Sequence, residues 1–269
     1  GYHPCGHHTG EWFYMRTWEQ KYSGYAAVTR AAWREWLRNH YSSEAELRQA
    51  WGSETVSFDT AEPPTPEVRH AHPGGVFRLP MMERQIVDFN RFQQEAMVDC
   101  VLSLARSVRQ ASQGRKLSVF FYGYLFEFSA AHTGPAISGH YGLRRVLDSP
   151  DIDILCSPIS YCDRGFGESA PVMTAAESVA LAGKLWLNED DTATYLSPGT
   201  FPGHTERVDT FEGSNNQLLR NVGQEACRNF ATWWMDLGGT GWFNDRRLLD
   251  TMRAMEVTNA AGIKVGGLF

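Results

Sequence analysis

The stretch Lys184-Leu-Trp-Leu-Asn-Glu-Asp-Asp191 decides the fold. Three apolar residues, Leu185, Trp186 and Leu187, make a run too short for a helix, and the run ends in three consecutive carboxylates, Glu189, Asp190 and Asp191. A parallel strand covered on both faces reads this way, because polar residues enter only where the chain leaves the sheet. The same pattern recurs in Lys116-Leu-Ser-Val-Phe-Phe-Tyr-Gly-Tyr124, in Ile152-Asp-Ile-Leu-Cys156 and in Ala231-Thr-Trp-Trp-Met-Asp236.

Helical patterns separate these runs. Ile86, Phe89, Phe92, Ala96, Met97, Cys100, Val101, Leu104 and Val108 recur at three- and four-residue steps and predict an amphipathic helix over 82–110. Shorter helices are predicted over 141–147, 174–182 and 211–229, and a last one over 246–260. Strand and helix in alternation with short connections mean βαβ units, hence an α/β protein with a parallel sheet. In such folds ligands gather at the carboxyl ends of strands. There this sequence places Tyr122 and Tyr124, Tyr161, Asn188 to Asp191, and Asp236.

Upstream, Trp33, Trp36 and Leu37 at helical spacing predict a helix over 26–40, and Ser43-Glu-Ala-Glu46 starts a second that ends at Trp51-Gly52. Residues 53–80 are rich in Pro, Gly, Asp and His without periodicity and are expected to form one long loop over a cleft. At 269 residues, one α/β domain over the whole chain is expected.

The charge balance, 25 Lys+Arg against 31 Asp+Glu, offers no basic footprint for phosphate backbones, so nucleic acid is not an expected partner. No apolar stretch approaches a membrane span. Five cysteines, Cys5, Cys100, Cys156, Cys162 and Cys227, form no CxxC pair and argue against a disulfide framework or a zinc ribbon. Reduced thiols and the lack of a charged-then-apolar leader before Gly1 favour the cytoplasm, although the opening residues read as the end of a strand and the parent protein is expected to be longer. Nine Trp and ten Tyr suit sugar rings, which present apolar C–H faces and hydroxyl edges.

A second isolated acid, Glu11, lies in Gly1-Tyr-His-Pro-Cys-Gly-His-His-Thr-Gly-Glu-Trp-Phe-Tyr14. Two carboxylic acids facing one sugar ring are the minimum equipment for cleaving a glycosidic bond. Either acid read alone is equally an ordinary rim carboxylate. Beside Trp12 and Phe13, Glu11 is expected to be desolvated and protonated, while Glu189 stays ionised. Of Asp190 and Asp191, one is expected to form a salt bridge or cap a loop. Tyr161 is a candidate partner for Glu189, or else a packed aromatic. Strand alternation allows only one of Trp233 and Trp234 to face a ligand. His3, Cys5 and His7 alternate as imidazole and thiolate groups on a strand, but no further ligand pair with matching spacing accompanies them, so no metal is expected. No cofactor signature is present: the glycines of Asp236-Leu-Gly-Gly-Thr-Gly241 do not open a dinucleotide-binding turn. His72, His132, His140 and His204 are read as surface or rim residues.

Gly10-Glu-Trp-Phe13, the segments Trp36-Leu-Arg-Asn-His-Tyr41 and Leu47-Arg-Gln-Ala-Trp-Gly52, the strand Phe121-Tyr-Gly-Tyr124, the run Leu147-Asp-Ser-Pro-Asp-Ile-Asp153, and Lys184 to Thr192 together resemble the catalytic barrel of β-galactosidase-like glycoside hydrolases, family 42 and its bacterial cousins in clan A. The resemblance implies a (β/α)8 TIM-barrel fold, here incomplete, with 1–7 as strand four and strands five to eight beginning near Lys116, Ile152, Leu185 and Thr232. It implies retaining hydrolysis of a β-glycoside, β-galactoside-like, with Glu11 as acid/base and Glu189 as nucleophile. Trp12, Tyr122, Tyr124, Tyr161, Trp233, Trp234 and Asp236 are the candidate substrate contacts. The family usually has Asn before the acid/base, where this chain has Gly10, and its zinc-binding cysteine cluster is lacking here. A non-catalytic carbohydrate-binding remnant of the barrel is the alternative, and a metal-dependent hydrolase using His3, Cys5 and His7 a third. A five-strand remnant would expose sheet edges, so association with a second copy is expected.

Overall fold

The computed structural model describes residues 1–19, 21–71, 78–129, 134–198 and 208–265. Four strands, β1 (Val119–Phe121), β2 (Ile154–Pro158), β3 (Leu185–Asp190) and β4 (Ala231–Trp234), lie in the order β1-β2-β3-β4 and pair in parallel throughout. Eight α-helices accompany them among the described residues: α1 (Ala27–His40), α2 (Glu44–Trp51), α3 (Pro66–His70), α4 (Pro80–Ala111), α5 (Leu143–Leu147), α6 (Ala176–Leu181), α7 (Phe211–Cys227) and α8 (Arg246–Val265). The parallel α/β arrangement is that of part of a TIM-type barrel. No described helix is long and apolar enough to cross a membrane.

Period-two alternation divides the strand side chains between two layers. Phe120, Tyr122, Leu155 and Trp186 point toward the helices and pack with Met97, Val98, Val101 and Ala105 of α4, Leu143 and Val146 of α5, and Ala176 and Val179 of α6. Phe121, Cys156 and Leu187 point the other way, into an inner cluster with Phe13, Tyr124, Phe128 and Met173. Each fully buried aromatic or aliphatic side chain in these layers contributes about 1.5–3 kcal/mol of transfer free energy. A separate aromatic cluster, Trp33, Leu37, Tyr41, Leu47, Phe89 and Phe92, joins α1 and α2 to the first turns of α4.

Local chemistry sets the boundaries. Ser43 Oγ accepts the Glu46 N–H at the start of α2, and Gly52 closes that helix in the left-handed region at φ 61°. The segment 53–80 is not one loop, because α3 forms within it: Thr65 caps, accepting the Val68 N–H, and Pro66 occupies the first turn. β1 is shorter than the apolar run that encodes it. Beyond Phe121, the N–H groups of Gly123 and Tyr124 turn from the sheet to the imidazole Nδ1 of His140, at 3.0 and 3.2 Å.

The first seven residues do not form a strand. Tyr2 makes one parallel bridge with Ser118, and the chain then coils into a compact loop with positive φ at His7, Thr9, Gly10 and Trp12. That coil removes the alternation of His3, Cys5 and His7. Cys5 Sγ lies 3.6 Å from His3 Nδ1, whereas the His7 ring packs against Trp12 and Tyr14. No group of three or more metal-ligating side chains gathers among the described residues.

Candidate active site

The carboxyl end of β3 carries four buried polar residues in a row, Asn188, Glu189, Asp190 and Asp191. Alternation sends them to opposite layers. Asn188 and Asp190 face α7: Asn188 donates to Glu225 Oε1 at 2.8 Å, and Asn221 donates to both oxygens of Asp190 at 3.2 and 3.0 Å. Glu189 and Asp191 face the inner cluster.

Glu189 is 6% exposed, and no hydrogen bond reaches its carboxyl group among the described residues. Burial first, then the neighbouring charges of Asp191 and Glu11, push its pKa up to about 8, against the opposing influence of Arg164. Glu11 arrives from the N-terminal loop. Its Oε1 accepts from the Tyr124 hydroxyl at 2.7 Å and its Oε2 from the Thr9 hydroxyl at 2.6 Å. Burial raises the Glu11 pKa too, but these two donors oppose the rise. The two acids, far apart in sequence, therefore lie within electrostatic reach of each other, and both act on Tyr124 and Cys156 between them. Glu11 is raised by burial as its aromatic neighbours predict, whereas Glu189, expected to stay ionised, is raised as well.

His140 holds the Glu11 loop in place. It is fully buried rather than a rim residue, and it stacks between Phe13 and Tyr122 at 4.2 and 4.7 Å. Because its Nδ1 accepts two backbone N–H groups, its Nε2 carries the hydrogen and donates to the Glu11 carbonyl at 3.1 Å. Burial drives its pKa down to about 3, so the ring is a neutral staple between β1 and the acid.

A buried ion pair closes the other side. Arg164 Nη1 donates to Asp191 Oδ1 at 2.8 Å, and the Tyr161 hydroxyl donates to Asp191 Oδ2 at the same distance. The guanidinium lies 4.3 Å from the Tyr161 ring centroid and also donates to the carbonyls of Ser160 and Ile159. Glu127 secures this loop, accepting from Ser160 Oγ at 2.7 Å and from the Tyr161 N–H at 3.2 Å.

Of the candidate contacts, Tyr124 meets Glu11 directly, and Tyr161 reaches Asp191. Trp233 sits opposite Glu189 in the sheet register, is 37% exposed, and directs its indole N–H toward the Cys156 thiol. Four others are turned away. Trp12 packs behind the sheet on Phe120, with its ring where a Cβ at Gly6 would stand, 2.7 Å away. Tyr122 also faces the helices, donating to the Gly139 carbonyl at 2.8 Å. Trp234 registers with Asp190 and packs against α7 and α8. Asp236 caps its own turn, accepting the N–H groups of Thr240, Gly241 and Trp242. His72, His132 and His204 lie outside the described residues. The salt bridge expected of Asp190 or Asp191 is made by Asp191, with Arg164; Arg164, Glu127 and His140 are not legible as site residues, because only the fold brings their loops together.

Residues 14–136 match the beta-galactosidase family model of glycoside hydrolase family 42. The matched segment contains Tyr122 and Tyr124 and stops short of both glutamates. Among solved structures, the catalytic domain of beta-amylase from Paenibacillus polymyxa superposes with a TM-score of 0.58 at 15% identity, over 94% of this chain and 61% of that one. This likeness establishes the barrel-type fold, and the chain spans 61% of the length of that neighbour. Curated proteins give no match.

Proposed function

We propose that this protein hydrolyses a β-glycoside, β-galactoside-like in its sugar, by retaining double displacement, with Glu189 as nucleophile and Glu11 as acid/base. The supporting observation is the pair itself: two mostly buried glutamates, far apart in sequence, both raised by burial, with the charge of Glu11 acting on Glu189 and both acting on Tyr124 and Cys156. A pair that holds one proton titrates as a unit and can present either tautomer. The reactive one has the proton on Glu11.

In that tautomer the Glu189 carboxylate attacks the anomeric carbon, the bond to the leaving oxygen breaks, and the Glu11 proton moves to that oxygen. Glu11, now a carboxylate held by Tyr124 and Thr9, then takes a proton from water as the water displaces Glu189. Retention requires the carboxyl groups to work about 5 to 5.5 Å apart. Trp233, half-open beside Glu189, offers an aromatic face for the sugar.

Aryl β-galactosides test the proposal. The parent protein is expected to turn them over and the Glu189→Gln variant to fail. Sugar binding of equal strength in both, without turnover in either, would replace the enzyme with a carbohydrate-binding module.

A further inference from the structure

On the helix layer, away from the inner face that carries the two glutamates, a cavity of about 440 Å³ opens between α4 and the segment 136–145 that runs into α5. That volume suits a small ligand. Its wall is preformed: Gln94 of α4 holds the facing segment at two points, donating from Nε2 to the Ala136 carbonyl and accepting the Tyr141 N–H at Oε1, both at 2.7 Å. Val98 and Gly142, both in the lining, lie in direct contact, since a Cβ at Gly142 would run into the Val98 side chain. Val87, Ala136 and the half-exposed ring of Tyr141 complete an apolar interior.

The polar groups of this lining are one-sided. Every side-chain oxygen except the Tyr141 hydroxyl already accepts a protein hydrogen: Gln94 from Tyr141, Asn90 from Arg69 at 3.2 Å, and Glu95 from Arg91 and from the Trp36 indole, each at 2.7 Å. The donors are left open. Arg91, Arg144 and Arg145 each give one nitrogen to a carboxylate, of Glu95, Asp148 and Asp99 in turn, and their remaining N–H groups meet no acceptor among the described residues. Asp99 and Asp148 stand outside the lining, so three guanidinium groups and one carboxylate border the cavity.

We propose that this cavity is an accessory binding site for a small organic anion, a carboxylate carried on a flat aromatic body. The apolar interior takes the ring, and the open edges of the guanidinium groups take the two oxygens, a geometry that their planar forks match. A neutral sugar fits poorly, because most of its buried hydroxyl hydrogens would find no acceptor. The site stands apart from the two glutamates and does not depend on the hydrolase reading of the inner face.

The test is a titration of the full chain with 2-naphthoate, read by NMR at the backbone amides of Tyr141 and Gly142, with 2-naphthylmethanol as the neutral counterpart. An anion of this size is expected to bind the parent protein with a Kd of about 1 mM or tighter. The neutral compound on the parent, and the anion on the double variant Arg144→Gln/Arg145→Gln, are each expected to bind at least about tenfold more weakly. Both arginines are exposed, and their loss leaves Asp148 and Asp99 in water, so the double variant keeps the fold. Val87→Phe fills the cavity from α4 and is expected to abolish binding; if it does not fold, the double variant decides. Equal affinity for the two compounds, anion binding undiminished in the double variant or in a folded Val87→Phe protein, or no response of the two amides at about 10 mM anion would overturn the proposal.

Discussion

One strand separates two groups of buried acids, and their differences define the site. On the helix side of β3, Asp190 and Glu225 are enclosed with amide and hydroxyl partners: Asn221 and the Thr192 N–H serve Asp190, while Asn188 and the Thr232 hydroxyl serve Glu225. On the inner side, Glu189 is raised in the same way but meets no donor among the described residues. Burial raises Glu225 to about 9 and Glu189 to about 8, so a shifted pKa does not distinguish them. What distinguishes them is satisfaction. A buried polar group supplied with partners knits two layers together, whereas one left short is a candidate for meeting a ligand.

The largest contrast is expected from matched amide substitutions. Glu189→Gln should lower turnover of an aryl β-galactoside by at least about 1,000-fold, the scale on which removing a residue of the reacting unit is felt. Glu225→Gln copies the protonated acid and should leave kcat/KM within about threefold. Equal losses from both would erase the functional difference between the two faces.

The adjacent tryptophans sharpen the same comparison. Trp234→Ala opens a void against Leu218, Val222 and α8 and should cost about 3 kcal/mol in denaturant unfolding. Trp233→Ala should cost less stability and appear mainly as a raised KM, because its ring is partly exposed beside Glu189. A reversal of these two outcomes would mean that the inner face is the packed one.

Stability against pH is the third expectation, and its sign follows from the direction of the shifts. Both Glu225 and Glu189 have folded-state values above the ordinary 4.5, so the folded protein keeps protons that the unfolded chain releases. Their contribution is complete below about pH 4.5 and is lost as pH rises through 8 and then 9. Unfolding free energy should therefore decline across that window, with a slope of at most about 1.4 kcal/mol per pH unit for each group. Glu225→Gln should remove the decline between about pH 8 and 9 and roughly halve the slope below it. A parent protein that gains stability across the window would contradict the protonated state of these acids.

The smallest effect is expected from Tyr124→Phe. Loss of its hydroxyl leaves Glu11 with Thr9 as its remaining donor and should raise the acid limb of the pH–rate profile, with a rate loss of about tenfold. An unchanged acid limb would remove Tyr124 from the account.

How much of this was readable beforehand varies with the kind of signal. The apolar run Leu185 to Leu187 and the periodic stripe of α4 locate a parallel strand and its covering helix, because burial on both faces or on one stripe leaves a pattern that residue order alone preserves. Alternation also identified that one of Trp233 and Trp234 must turn away, though not which. The N-terminal sequence reads as a strand, but left-handed residues at His7, Thr9 and Trp12 break the period of two, and none of these types announces that conformation. α3 is hidden in the sequence although Thr65-Pro66 is a helix start, since the surrounding prolines read as a loop. The run of three carboxylates predicts a salt bridge at Asp190 or Asp191, but its partner Arg164, and His140 stapled to Glu11, depend on contacts between loops and leave no local trace.

The central claim is that Glu189 bonds to the sugar while Glu11 manages the proton. Incubation with a 2-fluoro β-galactoside, followed by mass analysis of the peptides, tests it most directly. One glycosyl unit on the peptide containing Glu189 is the predicted result. A label on Glu11, or a protein that hydrolyses the parent glycoside and forms no adduct, would contradict it.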